Sequence, residues 1–562
     1  MTKLIECVPN FSEGRDRKII DSIAEAISSV QGVSLLDVDP GAATNRTVMT
    51  MVGEPEAVIE AAFQSIKRAS ELIDMTKHRG EHARMGATDV CPLVPVAGTT
   101  MEECAGYAEI LGDRVGRELE IPVYLYEAAA RRPERQNLAN IRSGEYEGLS
   151  EKMRNPEWTP DFGPHDFNAR SGATVIGARE FLIAFNINLN TRNKKLAHEI
   201  ALDIREKGRF KRDENGSICK DENGQKITVN GAFREVKAVG WYIEEYQTAQ
   251  ISINFTNFRI TPPHVVVEDV RRRAAEKGVV VTGCELVGLI PLEAMIEAGR
   301  YYLLLQNSSP AATDADLVKL AIRSMGLEEI NPFIPEEKII DYRVKANSAL
   351  AEMAVNDFLD LLSSDSPAPG GGSVAALNGS IAAGLVAMVA NLTIGKKGFE
   401  NHYTDLGNMG VKAQNLKSLF LKLVDRDTDA FNAVMTASRM AKKTASEAQA
   451  RLEALNAATV LAIETPLETI QTCEHLLPAL NCICRNGNPN SISDAGVACQ
   501  TLISAAKGAW LNVVINIGGI ENSEIRNDYM NQARNGMNRV VESANSLFIE
   551  IESSLIASGD GE

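Results

Sequence analysis

The sequence predicts a multidomain protein: two consecutive α+β subdomains, each a small sheet with covering helices, followed by an all-α helical bundle. Three observations carry this. At 562 residues the chain is too long for one hydrophobic core. Strand-like alternation and helical periodicity interleave over roughly the first 340 residues. Beyond Val344 the strand signals nearly vanish, and Ala-, Leu- and Lys-rich helical spacing runs onward. The expected divisions are 1–181, 182–344 and 345–562.

In the first part, Leu4–Val8, Val33–Val38 and Arg46–Val52 read as strands, with Arg17–Val30 as an amphipathic helix. A long helix is expected over Glu54–Ile73, where Val58, Ile59, Ala62, Ile66, Ala69 and Leu72 keep the i, i+3, i+4 spacing. The pattern recurs in the second part. Phe181–Leu189 and Ala249–Phe258 alternate like strands, Pro263–Lys277 is helical and Val279–Thr282 is a short strand. Asn-Gly pairs at 215–216, 223–224 and 230–231 predict hairpin turns in a surface excursion near 209–231.

Helices are expected in the third part at Ser348–Ser363, Ser373–Thr393, Asn408–Met440, Ser446–Cys473, Asp494–Ile515 and Arg526–Ala557. Ser373 is placed to cap the second of these, after Pro367-Ala-Pro-Gly-Gly-Gly372. The stretch Ser366–Gly395 carries no charge and mimics a membrane span. It is built largely from Ala, Gly, Ser and Asn, so a buried helix at a packed or subunit interface is the preferred reading.

Composition narrows the function classes. A formal charge of −17 with no basic stripe argues against nucleic acid, and leaves any anionic substrate to local arginines and lysines. The nine cysteines are scattered with no CxxC pair, which points to a reducing cytoplasm. The first residues, Met-Thr-Lys-Leu-Ile-Glu-Cys-Val, have no apolar h-region, so no signal peptide and no membrane association are expected.

Chemistry concentrates in two places. The chain has seven histidines, and two fall within His78-Arg-Gly-Glu-His-Ala-Arg-Met-Gly-Ala-Thr-Asp-Val90. Imidazole both accepts and donates a proton near neutral pH, so acid–base catalysis by either His78 or His82 is the leading reading. His78-x-x-Glu81-His82 also matches an H-x-x-E-H zinc pattern, although Gly80 interrupts the required helix and no third ligand follows. A purely structural pair is the remaining alternative.

The second place is Val424-Asp-Arg-Asp-Thr-Asp-Ala-Phe431. Phe420, Val424, Asp427, Phe431 and Val434 fall on one helical stripe, whereas Lys422, Asp425, Arg426 and Asp429 project away from it. Desolvation raises the pKa of a carboxyl in such a stripe and makes Asp427 a candidate proton shuttle, against the alternative of a satisfied core aspartate or helix ion pair. The Gly370–Gly372 run could bind an anion at a helix N-terminus or serve as a hinge. The loop Asn486-Gly-Asn-Pro-Asn-Ser-Ile-Ser-Asp494 could line a site or cap the next helix through Ser493 or Asp494.

Cys7-Val-Pro-Asn-Phe-Ser-Glu-Gly-Arg15, the His78–Asp89 segment and Gly172–Leu189 closely resemble formimidoyltransferase. Pro369-Gly-Gly-Gly-Ser-Val-Ala375, with the Asp427 helix, resembles the cyclodeaminase partner. Together, in the same order, they are similar to the bifunctional formimidoyltransferase-cyclodeaminase family of histidine breakdown.

The resemblance implies transfer of a formimino group from N-formimino-L-glutamate to N5 of tetrahydrofolate. Ring closure to 5,10-methenyltetrahydrofolate with loss of ammonia follows. It places the transferase histidine on His82 and the cyclodeaminase carboxylate on Asp427. The folate-binding stretch falls on Gly163, Pro164, His165, Asp166, Phe167, Asn168, Ala169, Arg170, Ser171 and Gly172. It further implies tetrahydrofolate, with or without a polyglutamyl tail, as co-substrate without a metal, and a homo-oligomeric ring built from dimers.

Asp39 or Glu81 is expected to face the cationic amidine, and Arg46 a glutamate carboxylate. Lys396 and Lys397 are expected to meet the glutamyl tail of folate. The rivals are a monofunctional transferase with a structural helical domain, a zinc hydrolase, and a folate-binding scaffold without turnover.

Overall fold

A computed structural model describes residues 3–559 of the chain apart from 43, 81–82, 215 and 344–349. The chain forms two compact units, Met1–Met295 with Met325–Val344, and Ile296–Ser324 with Lys345–Glu562. The expected boundary at 344/345 and the start of the Ser348–Ser363 helix lie outside the described residues.

The first unit holds two main sheets. The larger contains β1 (Leu4–Cys7), β2 (Asn10–Phe11), β3 (Val33–Gly41), β4 (Arg46–Gly53), β5 (Thr88–Ala97), β6 (Val123–Glu127) and β7 (Thr174–Ala178). β1 and β2 run in line between β4 and β5 and pair antiparallel with both. They are the single strand expected at Leu4–Val8, extended and then interrupted at Pro9, which has no N–H for the ladder. β3 adds outside β4, and β7 and β6 continue the other edge in parallel. This sheet is therefore larger than the small one expected.

Helices Arg17–Ser28, Pro55–Leu72 and Met101–Glu118 cover one face. Strand alternation directs Ile5, Cys7, Met49, Met51, Cys91 and Leu93 into that core. The opposite face carries Glu6, Val8, Asn10, Arg46, Val48 and Thr50 and looks into a cleft.

The second sheet has the order β11-β12-β8-β13 and is antiparallel throughout. Its strands are β8 (Ile183–Leu189), β11 (Val236–Ile243), β12 (Thr248–Phe255) and β13 (Val281–Val287). Phe185, Ile187, Ile251, Ile253 and Phe255 point toward helices Lys194–Ile204 and Pro263–Glu276. Gly240 lets the first helix settle on the sheet, because a Cβ there would lie 2.1 Å from the His198 backbone nitrogen. The minor hairpin of β9 (Arg209–Phe210) and β10 (Thr228–Val229) forms the excursion. Turns close at Asp213–Ser217 and Asp221–Gln225. The third Asn-Gly pair differs from expectation: the Gly231 N–H donates to Glu206 and closes the excursion instead of turning a hairpin.

The helical unit contains Val355–Leu362, Gly371–Thr393, Tyr403–Arg439, Ala445–Asn486, Ile492–Asn516 and Ser523–Gly559. Gly371–Thr393 is the one helix among the described residues long and apolar enough to cross a membrane, and 61% of its most apolar window is buried inside the unit. Gly379 and Gly410 allow close approach: a Cβ on Gly379 would meet the Phe420 ring at 2.4 Å.

The helix expected to end at Cys473 continues to Asn486 through Pro466 and Pro478. A proline removes the bond to the carbonyl four residues earlier. At Pro466 that carbonyl, Ala462 O, is instead met by Asn516 Nδ2 at 2.8 Å.

Arg135 is fully buried in the first unit. It donates to Asp161 Oδ2 at 2.8 Å and to the carbonyls of Glu157 and Thr159, with Tyr124 and Trp158 stacked nearby. Replacing Arg135 by Met would strand the Asp161 carboxylate. We expect a loss of about 3–5 kcal/mol of unfolding free energy in this unit, read by urea denaturation.

Candidate functional site

The polar faces of the two sheets line a cleft of about 1100 Å³. One wall carries Glu6, Asn10, Asp37, Asp39, Arg46 and Tyr126, and the other Ala184, Lys237, Asn254 and Val287. Ala83, Arg142, Glu145 and Arg179 complete the charged lining. A cavity of this size takes a drug-sized molecule with room for a second reactant.

Ala83 of the His78–Asp89 motif lines this cleft, and most of the motif's other described members hold the backbone. His78 Nε2–H donates to Asn45 O at 2.9 Å, while its Nδ1 accepts from Arg84 Nε at 3.3 Å. Both ring nitrogens are thus engaged, which leaves no lone pair for the zinc pattern and removes His78 as a base. Burial, and to a lesser degree Arg84, lowers its pKa, and the carbonyl of Asn45 opposes this.

Arg84 grips Glu147 with two bonds, at 2.8 and 2.6 Å, and reaches Glu145 at 3.1 Å. Asp89 is buried, accepts from the Met85 N–H at 3.0 Å and pairs with Arg142. Ser12 bonds Gly86 O, and the Ala87 N–H bonds Ser171 O. Glu81 and His82 lie outside the described residues. Among the described residues no group of three His, Cys, Asp or Glu side chains could hold a metal ion.

Asp39 is exposed at the rim of the cleft and Arg46 lines its wall. Burial lowers the Arg46 pKa to about 10, with Asp89 opposing.

None of the Gly163–Gly172 stretch lines the cleft. It packs behind the strap at 83–87. Gly172, at φ +67°, bridges to Gly86, and a Cβ there would lie 2.1 Å from Met85 O. Phe167 stacks on Tyr146 at 5.6 Å, and Tyr146 donates to Ala169 O at 2.5 Å. Gly163 and Pro164 are half-buried, and His165, Asp166, Ala169 and Arg170 are exposed.

Sequence reasoning missed Glu6. It is 3% exposed, lines the cleft, and is pushed up to about 7 by burial, with Arg179 pulling the other way. The available signal was alternation: one carboxyl between Ile5 and Cys7 in an apolar strand.

The second constellation is in the helical unit. Asp427 is half-buried at the N-terminus of Gly371–Thr393. Ser373 Oγ–H donates to Asp427 Oδ2 at 3.0 Å, and the Ser373 backbone N–H donates to the same carboxyl. Burial raises the Asp427 pKa, and these two bonds partly restrain it.

Ser373 is therefore not the cap expected from sequence. Gly370 is the N-cap residue, with no side chain to offer, and Asp427 supplies the capping acceptor from another helix. The glycine run makes room for it: a Cβ on Gly372 would lie 2.1 Å from Asp427 Oδ1.

The flanking residues follow the expected division only in part. Asp425 accepts from the Leu350 N–H at 2.9 Å, and Arg426 pairs with Glu468. Phe431 and Val434 are half-buried, and Ala430 and Ala437 take the deep positions instead. Strict +3/+4 alternation drifts off the contact line of so long a helix.

Lys396 and Lys397 are exposed beyond the C-terminal end of Gly371–Thr393. At ~1.5 Å per residue they lie roughly 35 Å from the Asp427 end and do not share its site within one chain. The 486–494 loop sits at that far end too, where the Asn488 N–H bonds Thr393 Oγ1 at 2.8 Å. The following helix starts at Ile492 after Ser491, so neither Ser493 nor Asp494 caps it.

Profiles described as "Formiminotransferase domain, N-terminal subdomain", "Formiminotransferase domain" and "Formiminotransferase-cyclodeaminase" match residues 4–179, 184–345 and 354–535. The chain is 42% identical over 520 residues to the formimidoyltransferase-cyclodeaminase of Mus musculus, covering 92% of this chain and 93% of that one. The chain belongs to the formiminotransferase-cyclodeaminase family.

A second formimidoyltransferase-cyclodeaminase, from Dictyostelium discoideum, is 40% identical over 553 residues, covering 96% of this chain and 99% of that one. The glutamate formimidoyltransferase of Streptococcus pyogenes serotype M1 matches 55% of this chain at 43% identity and 95% of its own length. A family member of this length carries both enzymatic halves, as the resemblance implied.

The His78 geometry has a direct spectroscopic consequence. Its ring is expected to remain the neutral Nε2–H tautomer with a titration midpoint below 6.5, read by ¹⁵N NMR of the imidazoles. A histidine with a depressed folded pKa contributes stability that is lost as pH falls through the unfolded value. The unfolding free energy of wild type relative to His78→Gln should therefore shrink between pH 7 and 5.

Proposed function

We propose that the cleft transfers the formimino group of N-formimino-L-glutamate to N5 of tetrahydrofolate, and that the Asp427 site closes the product to 5,10-methenyltetrahydrofolate with release of ammonia. The observation that carries this is the Asp427 carboxyl. It is half-buried and held by the end of a helix in the half that a transferase alone does not need.

A formimino group is an amidine, cationic at neutral pH, and its carbon is already electrophilic. In the first reaction N5 attacks that carbon. His82 takes the N5 proton and delivers it to the departing glutamate nitrogen. Support comes from its surroundings in sequence: Ala83 lines the cleft, and His78 is committed to Asn45 and Arg84. Asp39 or Glu81 faces the amidinium, and Arg46 meets a glutamate carboxylate. Of the 163–172 loop, His165, Asp166, Ala169 and Arg170 are the exposed members open to a folate.

In the second reaction N10 attacks the formimino carbon. Asp427 accepts the N10 proton and returns it to the leaving nitrogen, which departs as ammonia. A carboxyl with a raised pKa suits both transfers near neutrality. Free thiols at all nine cysteines accord with a reducing cytoplasm, and we propose a homo-oligomeric assembly.

His82→Ala is expected to lower transfer by at least ~10²-fold while leaving cyclisation of supplied 5-formiminotetrahydrofolate intact; loss of both activities would refute the division of labour. Asp427→Asn should let 5-formiminotetrahydrofolate accumulate from formiminoglutamate, followed by absorbance of the methenyl product. Gly372→Ala should do the same by displacing the carboxyl. In Ser373→Ala a restraint on the Asp427 pKa is lost, so the acid limb of the cyclisation pH–rate profile moves to higher pH, and Ser373→Thr restores it.

A further inference from the structure

We propose that Glu6 anchors the pterin ring of the folate co-substrate, its carboxylate accepting from N3–H and the 2-amino group at the floor of the transferase cleft. This rests on the reading that the cleft takes tetrahydrofolate, and it goes beyond it by assigning the residue that recognises the ring.

Strand geometry places the carboxyl. Ile5 and Cys7 are fully buried in the helix-covered core, so Glu6 between them faces the cleft. It is nevertheless almost withdrawn from water. Among the described residues none donates a hydrogen bond to it. The facing opposite charge is Arg179, which donates to Glu180 O at 2.9 Å. A carboxyl kept from water without donors is costly, and a site that keeps one is completed by a ligand carrying them. Burial, opposed by Arg179, holds its protonation near neutrality.

The walls beside it select the class of donor. Val8, next on the same face, and Pro92, bonded to it across the strands, are apolar lining residues beside it. Phe181 and Leu289 line the same cleft. A fused heterocycle fits such a slot. Its pyrimidine edge presents two parallel N–H groups, the pattern a carboxylate accepts as a fork.

The amidinium of the other substrate is the competing donor, but it belongs near the reacting end. There Asn10 lies in register with Val90 of β5, the strand that the His78–Asp89 motif leads into. Asn10 is four residues from Glu6, roughly 13 Å along an extended strand. Its buried Oδ1 has no partner among the described residues and is an acceptor suited to an amidinium N–H.

The test compares tetrahydrofolate with 2-desamino-2-methyltetrahydrofolate as formimino acceptors, using full-length wild type, Glu6→Gln and Glu6→Asp. Transfer by wild type to tetrahydrofolate tests the underlying function independently of Glu6. Wild type should prefer tetrahydrofolate by about 100-fold in kcat/KM. In Glu6→Gln that preference should collapse to within about 5-fold, through KM for folate, with KM for formiminoglutamate within twofold.

Wild type that uses both acceptors equally overturns the proposal whatever the variants do. A Glu6→Gln effect confined to KM for formiminoglutamate, or no effect, also overturns it. Cyclisation of supplied 5-formiminotetrahydrofolate and a thermal melt report folding of each variant. If Glu6→Gln does not fold, Glu6→Asp must show the reduced preference, or the proposal fails.

Discussion

A carboxylate taken out of water must find donors, and the placement of four such groups organises both halves of this molecule. Asp161 finds Arg135 and the Leu125 N–H, and locks the loop below the larger sheet. Asp89 finds Arg142 and the Met85 N–H, and fixes the strap entering β5. Asp427 finds the first turn of a helix from another part of the bundle. Glu6 finds no donor among the described residues, and it is the one that opens onto the cleft between the two sheets. Satisfied groups build the scaffold, and the unsatisfied one marks where a ligand completes it.

The same logic divides the labour inside the histidine-bearing motif. His78, Arg84, Gly86 and Asp89 are occupied with Asn45, Glu147, Gly172 and Arg142. Their density of charge is a bracing system for a short backbone segment, built from pairs that lie far apart in sequence. The strap is held from behind by the 163–172 loop, whose Gly172 approaches Met85 more closely than any side chain would allow. Positioning of this quality is what a proton-transfer step requires of its surroundings.

In the helical unit a small-residue helix performs the equivalent function. Gly371–Thr393 has neither charge nor bulk, so neighbouring helices approach until Phe420 touches Gly379 and the Asp427 carboxyl reaches Gly372. The helix N-terminus then stabilises the ionised carboxyl while burial destabilises it. The net upward pKa shift is the balance of these two opposed effects.

Local patterns alone determined the alternation of strands and helices in the first part, the all-helical remainder and the partly buried helix face holding Asp427, because periodicities of 2 and 3.6 are properties of consecutive residues. Motif resemblance supplied the family and the choice of His82 over His78. What the chain order could not reveal came from contacts between distant residues. Examples are the split strand at Pro9, the continuation of a helix through Pro466 because Asn516 serves the freed carbonyl, and the cap delivered to Gly371–Thr393 by Asp427 instead of Ser373. Glu6 was visible in the sequence as a lone carboxyl between apolar neighbours. Only the facing of two polar sheet surfaces turned it into the floor of a cleft, since burial depends on what lies opposite and not on what lies adjacent.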